Sequence, residues 1–254
     1  MPVRNSDLGT LIITGAGRGI GAAIAILAGQ HGYAVAVNFN RSEPEARKVV
    51  AEITGNGGRA IAIHADVGRE SEIARLFETA QGKLGPVKGL VNNAGITGGF
   101  ARVEDVTLEA IENVFRVNVT GAILCAREAV RRMSTKRGGS GGAIVNISSR
   151  AAETGSPGEW VHYAATKGAI DSFTIGLARE VATEGIRVNA VGPGLVDTEI
   201  HANNGEPGRL QRLSGTIPMG RAGQPREIAE GVLWLLSPAA SYVTGAIFPI
   251  GGGR

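Results

Sequence analysis

The chain has 254 residues, of which 43% are hydrophobic and 19% charged, so it can bury a large core and is not a disordered chain. Its net charge is only +3 at pH 7, which is weak support for nucleic acid as a partner. The single cysteine, Cys125, excludes an internal disulfide and a cysteine-based metal cage, and its apolar helical surroundings predict a buried thiol.

The sequence shows neither a signal sequence nor a membrane span. Residues 1–9 are polar and lack an apolar core, and no apolar run approaches the ~20 residues that cross a bilayer. These features predict a soluble protein of the cytoplasm.

Short apolar segments alternate with helical segments along the chain. The predicted strands cover residues 10–15, 34–39, 60–65, 88–93, 141–149, 185–191 and 245–250. The predicted helices cover residues 19–31, 43–54, 107–133 and 161–183. Ser42 and Glu45 fit a capping box at the start of the second helix.

The predicted strands are apolar throughout rather than alternating, as a sheet covered on both faces requires. Strands joined through helices imply right-handed parallel crossovers. The fold class is therefore predicted to be α/β: one domain over residues 1–254, with a doubly wound parallel sheet of about seven strands and helices on both faces. Residues 198–220 show no clear element, and a loop of that length predicts a substrate lid.

A glycine-rich turn, TGAGRGIG at residues 14–21, directly follows the first strand. Missing side chains at Gly15, Gly19 and Gly21 let a pyrophosphate approach the backbone, where Ile20 and its neighbours begin a helix with free N–H groups. The alternative is that the glycines only allow a tight turn and bind no nucleotide. The position after the first strand of an alternating chain favours dinucleotide binding.

The end of the second strand, NFNRSE, bears on the choice of nucleotide. An acidic residue there usually binds the ribose of NAD, yet the positions hold Asn40, Arg41 and Ser42, and Arg18 lies in the glycine turn. Arginine offers a forked donor for a 2′-phosphate. NADP(H) is therefore favoured over NAD(H), against the alternative that both arginines are solvated surface charges.

Two later strand ends are predicted to meet the cofactor, because the carboxyl ends of the strands line its crevice. Asp66, followed by Val67, either meets the adenine edge or caps the next turn. NNAG at residues 92–95 is predicted to place Asn92, Ala94 and Gly95 as a wall beside the cofactor.

The whole set of motifs resembles the short-chain dehydrogenase/reductase family. The shared segments are TGAGRGIG (14–21), NNAG (92–95), RVNVTG (116–121), NISS (146–149), YAATK (163–167) and RVNAVGPG (187–194). They occur in the family's order and cover nearly the whole chain. The resemblance implies a Rossmann-type fold, a nicotinamide cofactor and hydride transfer between a carbonyl and an alcohol.

The resemblance implies that Tyr163 is the general acid/base and that Lys167 binds the nicotinamide ribose. The two residues are four apart on one helix face, where a lysine ammonium is expected to lower the pKa of a tyrosine. Ser149 is implied to hold the substrate oxygen, with Ser148 as the competing choice. Asn118, inside the long helix, is implied to hold a water of a proton relay.

The resemblance also implies that the segment after the sixth strand meets the nicotinamide carboxamide. Its residues are Pro193, Gly194, Val196 and Thr198. No metal is expected, since His64, His162 and His201 lack metal-ligand spacing. His162 itself is predicted to lie at the substrate rim or in a subunit interface.

The substrate is the least determined feature of the sequence. Ser149 and Tyr163 are 14 positions apart, one more than is commonest in the family, which places an extra residue in a substrate-facing loop. A small ketone or alcohol is predicted, and sugar oxidation is an alternative because VHYAATKG is similar to the glucose 1-dehydrogenases.

Two further alternatives stay open. Reduction of 3-oxoacyl chains on acyl carrier protein needs a basic surface, which residues 131–137 supply, but Glu184 stands where such enzymes are commonly basic. A non-catalytic NADP-sensing regulator or scaffold would be expected to lack Tyr163 or Lys167, and both are present. The resemblance further implies a homotetramer joined by residues 107–133, 161–183 and 245–250, with a dimer as the alternative.

Overall fold

The structure is a computed structural model and describes residues 8–199 and 208–254. Its strands are β1 (Thr10–Ile13), β2 (Ala34–Phe39), β3 (Arg59–His64), β4 (Val87–Asn92), β5 (Gly142–Ile147), β6 (Ile186–Pro193) and β7 (Ile247–Ile250). Its helices are α1 (Gly19–Gln30), α2 (Glu43–Gly55), α3 (Glu70–Leu84), α4 (Leu108–Phe115), α5 (Ala122–Met133), α6 (Ala151–Thr154), α7 (Val161–Val181), α8 (Arg209–Ser214) and α9 (Pro225–Leu236).

The strands of the described chain form one parallel sheet in the order β3-β2-β1-β4-β5-β6-β7. The order reverses at β1, whose Ile13 is in register with Val37 on one side and Val91 on the other. Connections leave in opposite directions at such a point and open a crevice at the carboxyl ends of the strands. The predicted doubly wound, seven-stranded Rossmann-type fold is confirmed.

Both faces of the sheet are covered, which explains the continuous apolar strands. Leu11 and Ile13 of β1 are fully buried in a cluster that includes residues of α1, α2 and α9. Ile12, between them, is fully buried in the opposite cluster with residues of α3, α5 and α7. Because successive strand residues face opposite sides, every residue of β1 is buried, and its one polar side chain, Thr10, donates from Oγ1 to the Gly85 carbonyl oxygen at 2.8 Å. Cys125 lies in the second cluster, and burial raises the pKa of its thiol to about 12, which confirms the predicted buried thiol.

The boundaries of most predicted elements agree with the structure, and three features differ. Helices α3, α6, α8 and α9 were not among the predicted helices. The predicted capping box was wrong: Ser42 precedes α2 but makes no side-chain cap bond, and it lines the crevice described below. The predicted long helix is interrupted by a π-helical segment, Arg116–Gly121, between α4 and α5.

The π-helical segment has a local packing cause. Its last residue, Gly121, lies so close to the strand ends that a Cβ there would be 2.6 Å from the carbonyl oxygen of Val67. The helix backbone is thus pressed against the loop after β3, and a π turn accommodates the change of path. Asn118 lies in this segment, where π turns are frequently associated with functional sites.

Residues 200–207 of the predicted lid lie outside the described part of the chain, so the comparison covers the rest of the lid. The remainder contains the short helix α8, and the preceding Val196 pairs with Gly223 in a parallel bridge. Across 8–199 and 208–254, no helix combines the length and the apolar character that a membrane crossing would need.

Candidate active site

A crevice of ≈ 570 Å³ lies along the carboxyl ends of β1 to β6, a volume typical of small-molecule sites. Nearly all the residues that the sequence analysis named line it. They are Gly15, Arg18, Gly19, Ile20, Gly21, Asn40, Arg41, Ser42, Asp66, Val67, Ala94, Gly95, Ser149, Tyr163, Lys167, Pro193, Gly194, Val196 and Thr198. Asn92 and Asn118 are not part of this lining.

Asn92 corrects the prediction, because its side chain points into the protein. Its Nδ2 donates to the Ala122 carbonyl oxygen at 3.0 Å and to Asn146 Oδ1 at 2.9 Å, which fastens β4 to β5 and to the start of α5. The next residue, Asn93, lines the crevice instead. Its Nδ2 donates to the carbonyl oxygens of Thr14 and Gly15 at 2.9 and 3.0 Å and so holds the glycine-rich turn.

Asn118 is buried and joins the loop after β4 to α7. Its Oδ1 accepts from the Ile96 N–H at 2.9 Å, and its Nδ2 donates to the Ile96 carbonyl at 2.9 Å and to Thr166 Oγ1 at 3.1 Å. Both Nδ2 hydrogens are thereby used on protein partners. The side chain therefore positions Ile96 and α7, and the relay water, which the amide donors have no hydrogen left to hold, stays a prediction.

The glycine-rich turn has the shape of a phosphate cradle. Gly15 and Gly19 have φ angles of 62° and 55°, in the left-handed region that glycine adopts without strain. A Cβ at Gly21 would lie 2.5 Å from Asn93 Nδ2 and from the Gly15 carbonyl oxygen, so a side chain there is excluded. Helix α1 begins at Gly19 without a side-chain cap from Arg18. Its first N–H groups are available to an anion, and the residues fit a nucleotide pyrophosphate.

The nucleotide end of the crevice carries two arginines. Arg41 is exposed at its edge, beside Asn40 and Ser42. Arg18 lies 3.7 Å from Glu199, and both side chains are more than half exposed, so this ion pair is weak. Among described residues that line the crevice, the carboxylates are Asp66 and Glu199.

Asp66 adopts the turn-capping alternative and also lines the crevice. Its Oδ1 accepts from the Gly68 N–H at 2.8 Å, as in an Asx turn. Its Oδ2 lies 3.3 Å from Arg116 Nη1 and 3.8 Å from Arg69 Nε. Val67 follows with its side chain buried. Asp66 therefore shapes the loop after β3 while exposing part of its side chain to the crevice.

Tyr163 and Lys167 project from α7 into the middle of the crevice. Lys167 Nζ lies 5.5 Å from the centre of the Tyr163 ring and donates to the Ile147 carbonyl oxygen at 2.7 Å. Ser149 lies beside the Tyr163 hydroxyl, close enough to lower its pKa, and its Oγ accepts from the Ala151 N–H at 3.1 Å. The structure thus brings Ser149, Tyr163 and Lys167 together.

Ser148, the competing serine, points the other way. Its side chain is buried, and Oγ lies 3.4 Å from the Lys167 carbonyl oxygen on α7. Successive residues at the end of a strand face opposite sides, so only one of the two serines can adjoin Tyr163. The geometry selects Ser149.

Burial is the largest influence on the pKa values of Tyr163 and Lys167. It raises the pKa of Tyr163 above its ordinary value of 10.0, and the Ser149 hydrogen bond and the Arg209 charge oppose this only in part. Burial also lowers the pKa of Lys167 to about 8, with the charge of Asp171 acting in the opposite direction. The expected lowering of the Tyr163 pKa by Lys167 is therefore not found, because the ammonium is held at the Ile147 carbonyl.

Among the crevice residues that the sequence analysis missed, two stand on the side of Tyr163. The Trp160 ring meets the Tyr163 ring edge-on, with the centroids 6.3 Å apart. Arg209, from α8, places its guanidinium carbon 4.4 Å from the centre of the Trp160 ring. Trp160 stands next to the tyrosine motif, which was a usable signal, whereas nothing in the local sequence of Arg209 marks it.

The position of His162 also differs from the prediction. Its side chain is buried inside the chain rather than at the substrate rim or on an outer face. The ring packs against Gly98, where a Cβ would lie 2.8 Å from Nε2. His162 therefore fills space between α7 and the loop after β4.

Comparisons with known proteins agree with this geometry. The family model described as Enoyl-(Acyl carrier protein) reductase matches residues 15–254. The chain is 51% identical to the uncharacterized oxidoreductase YgfF of Escherichia coli (strain K12), over 96% of this chain and 98% of that protein. It is 40% identical to a 3-oxoacyl-[acyl-carrier-protein] reductase of Synechocystis, over 95% of each.

A solved structure extends the similarity to three dimensions. A dehydrogenase/reductase from Sinorhizobium meliloti 1021 superposes with a TM-score of 0.90 at 35% identity, covering 98% of this chain and 96% of the other. The match spans the sheet, the glycine-rich turn and the segment that carries Ser149, Tyr163 and Lys167. The chain is therefore a member of the short-chain dehydrogenase/reductase family and an oxidoreductase that uses a nicotinamide cofactor.

Proposed function

We propose that the protein transfers a hydride between C4 of NADP(H) and the carbonyl or secondary alcohol of a small molecule, with Tyr163 as general acid/base. One observation carries this proposal: the hydroxyls of Tyr163 and Ser149 meet in the same crevice as the glycine-rich cradle. The cofactor supplies the hydride when bound. The residues of the chain supply a binding place for the substrate oxygen and a proton for it.

Tyr163 is the proton donor in reduction and the acceptor in oxidation. The Ser149 hydroxyl adjoins that of Tyr163 and orients the substrate oxygen between the two groups. Because burial raises the pKa of Tyr163, the phenol stays protonated at neutral pH, which suits reduction. Oxidation needs the phenolate and is therefore favoured by a higher pH.

Lys167 contributes charge and position rather than the proton itself. Its buried ammonium is fixed to the Ile147 carbonyl at 2.7 Å, with the ring of Tyr163 nearby. Gly95 lies between Lys167 and Asn118: a Cβ there would be in ordinary contact with both, 3.7 Å from Lys167 Nζ and 3.4 Å from Asn118 Oδ1. Lys167 is assigned to the nicotinamide ribose, and Asn118 maintains the wall beside it.

The preference for NADP(H) rests on Arg41 and gives a direct test. In Arg41→Ala, NADPH should bind about 10-fold or more weakly, because a charge-assisted hydrogen bond to the 2′-phosphate is lost, while NADH binding should hardly change. Both affinities can be measured by fluorescence titration. Arg47→Ala is the matched control, since Arg47 is exposed, pairs with Glu43 at 2.7 Å and lies outside the crevice lining.

Equal or tighter binding of NADH by the unmodified protein would contradict the preference. Arg41 would then be a surface charge, and NAD(H) would be the cofactor of an enzyme working in the oxidative direction. Loss of NADPH affinity in Arg47→Ala as well would show a general effect of charge on α2.

A small carbonyl or alcohol remains the proposed substrate, and the structure weakens the acyl-carrier alternative. Of the basic residues that would meet an acidic carrier, Arg131 and Arg132 bond the buried carboxylate of Glu128 at 2.8 and 2.6 Å. Lys136 pairs with Glu184 at 3.2 Å. Glu128 and Glu184 thus offset two of the four positive charges that Arg131, Arg132, Lys136 and Arg137 bring to this surface. The only support for sugar oxidation is the short similarity of VHYAATKG to the glucose 1-dehydrogenases. A non-catalytic regulator is not supported, because both Tyr163 and Lys167 are present in the crevice.

We further infer a homotetramer, from apolar side chains exposed along the predicted contact elements. Leu108 on α4 is 69% exposed and Phe248 on β7 41%, and Phe248 packs against the half-exposed Trp234 of α9. Ile123 on α5 and Ile175 on α7 are also exposed. Burial between subunits would remove this surface from water. Light scattering of the purified protein should give a molar mass of four chains. A mass of two chains would support the dimer instead, and a mass of one chain would contradict the inference. A cytoplasmic location stays a prediction.

A further inference from the structure

One carboxylate oxygen on α7 is buried without a hydrogen bond. Asp171 follows Lys167 by four positions, so the two side chains share one face of the helix. Its Oδ1 is buried and accepts no hydrogen bond within residues 8–199 and 208–254. A buried carboxylate oxygen without a donor is costly to the fold, so its retention needs an explanation.

Asp171 and Lys167 both pack against the end of β5. Asp171 lies beside the Ser148 hydroxyl, close enough for Ser148 to lower its pKa. Ser148 Oγ in turn lies 3.4 Å from the Lys167 carbonyl oxygen. The Lys167 ammonium donates to the carbonyl oxygen of Ile147, the last residue of β5, at 2.7 Å. The carboxylate and the ammonium therefore occupy the same poorly solvated region between α7 and the sheet.

Each of the two charges makes burial of the other less costly. Lys167 is 5% exposed, and burial lowers its pKa to about 8, while the charge of Asp171 acts in the opposite direction. Burial raises the pKa of Asp171, and the charge of Lys167 is among the influences that oppose this rise. Because the ammonium donates to the Ile147 carbonyl, Asp171 acts on it as a nearby charge.

The other charged groups around α7 do not replace Asp171. Glu153 on α6 acts on Asp171 as a like charge, and it is itself bonded to Arg150. The remaining elements packed against α7 carry charged side chains that are exposed or bonded elsewhere, namely Glu109 and Glu112 on α4, Arg116 in the π-helical segment, Glu184 after α7 and Arg187 on β6. The carboxylate that acts on the Lys167 ammonium is therefore that of Asp171.

We propose that Asp171 is a positioning residue of the reaction, whose carboxylate keeps the Lys167 ammonium charged at the pH at which the enzyme works. The inference rests on the proposed function, in which Lys167 contributes charge and position. Asp171 is not part of the crevice lining, so it supplies the opposite charge without taking space from cofactor or substrate. The buried, unbonded Oδ1 is then explained by its effect on Lys167.

The structural alternative is that Asp171 only fastens α7 to the end of β5 beside Ser148. Asparagine has the shape of aspartate and keeps a polar group at this place, but it lacks the charge. A structural role therefore predicts a loss in Asp171→Asn that is the same at every pH. The proposed role predicts a loss that grows with pH, because Lys167 without the carboxylate releases its proton more readily.

The test is the pH profile of Asp171→Asn, followed as kcat/KM for reduction of a carbonyl panel at saturating NADPH. The unmodified enzyme should lose activity above about pH 8, where Lys167 releases its proton. In Asp171→Asn the loss should begin at a lower pH. The variant should therefore be about 10-fold less active than the unmodified enzyme near pH 9 and about equally active near pH 6. Asp171→Glu retains a carboxylate and should restore most of the activity near pH 9.

Unfolding of the cofactor-free protein gives a readout that does not depend on activity. The pKa of Lys167 is about 8 in the folded chain and 10.5 in the unfolded chain, so stability rises with pH between these values. In Asp171→Asn the rise should begin at a lower pH. Denaturant midpoints between about pH 6 and about pH 10 measure it. Glu180→Gln is the matched control, since it removes an exposed carboxylate from the same helix and should keep the unmodified profile.

The outcomes separate this inference from the proposed function. Equal activity losses at every pH, or a rise in stability that begins at the same pH in Asp171→Asn, would overturn the role of Asp171 and leave the oxidoreductase intact. If no carbonyl is reduced, the proposed function fails, and the unfolding data alone decide whether Asp171 acts on Lys167.

A second uncharged variant covers a failure of Asp171→Asn to fold. Asp171→Ser also removes the carboxylate, and the same two pH profiles apply to it. If neither variant folds while Asp171→Glu does, the fold itself needs the charge. That result would overturn a role specific to the reaction.

Discussion

Replacing Tyr163 with phenylalanine should lower kcat by about 10²- to 10⁴-fold, because the substrate oxygen loses its proton donor at the moment charge develops. The ring remains, so its edge-on contact with Trp160 should be kept. Ser149 keeps its bond from the Ala151 N–H at 3.1 Å and stays in place. Steady-state reduction of a carbonyl panel with NADPH measures the loss, and an NADPH titration should give an unchanged affinity.

Tyr242→Phe is the matched control, since Tyr242 is fully exposed and lies outside the crevice lining. It should have the activity of the unmodified enzyme. A Tyr163→Phe variant that reduces the panel at an undiminished rate would contradict the assignment and point to another proton source. Loss of NADPH affinity in that variant would instead indicate a damaged crevice.

Replacing Lys167 with methionine should abolish most activity and at the same time stabilise the folded chain at pH 7. The pKa of Lys167 falls from 10.5 to about 8 on burial, so at pH 7 the folded protein holds a buried ammonium at a cost of about 3 kcal/mol. Methionine removes that cost but also the 2.7 Å bond to the Ile147 carbonyl, which contributes about 1 kcal/mol. A net gain of about 2 kcal/mol is expected.

The pH dependence of stability gives the sharper test of this prediction. Between pH 8 and 10.5 the unfolded chain keeps the Lys167 proton that the folded chain has released, so the stability of the unmodified protein rises with pH relative to the variant. The advantage of Lys167→Met should therefore be complete below pH 8 and absent above 10.5. Denaturant unfolding at several pH values measures it. Lys83→Met, at an exposed position on α3, should show no such trend. A variant less stable than the unmodified protein at pH 7 would contradict the argument.

The expected gain in Lys167→Met illustrates a trade between stability and activity at this site. The chain has a buried ammonium on α7, at a position where an apolar side chain would make the folded state more stable. Asp171 partly offsets the cost, because its charge favours the ammonium. Such a retained cost is expected where the charge is used by a bound cofactor or substrate.

Short-range patterns in the sequence determined the fold class and most of the candidate site. The glycine-rich turn needs only a strand, a positive φ at Gly15 and Gly19, and a helix start, all of which are local properties. Strands buried on both faces are apolar at most positions, so the doubly wound sheet could be predicted without knowing its order. The family motifs then implied Ser149, Tyr163 and Lys167 together.

The tertiary structure decided where neighbouring side chains point in two pairs, Asn92 with Asn93 and Ser148 with Ser149. Asn92 and Asn93 have the same chemistry, and only the register of β4 shows that Asn92 enters the interior while Asn93 holds the cradle. The family pattern favours Ser149 over the adjacent Ser148, and the end of β5 shows that their side chains point in different directions. Register depends on contacts with neighbouring strands, which are distant in sequence.

The electrostatics of the site likewise depended on contacts between distant parts of the chain. Spacing on one helix predicted a lowered pKa for Tyr163, but burial raises it, and burial is a property of everything that packs around the crevice. Arg209 reaches Trp160 and Tyr163 from a helix that is 46 positions farther along the chain than Tyr163. The sequence by itself therefore determined the kind of chemistry, because its motifs are local. The tertiary structure decided which side chains surround the Tyr163 hydroxyl, because they come from segments that only folding brings together.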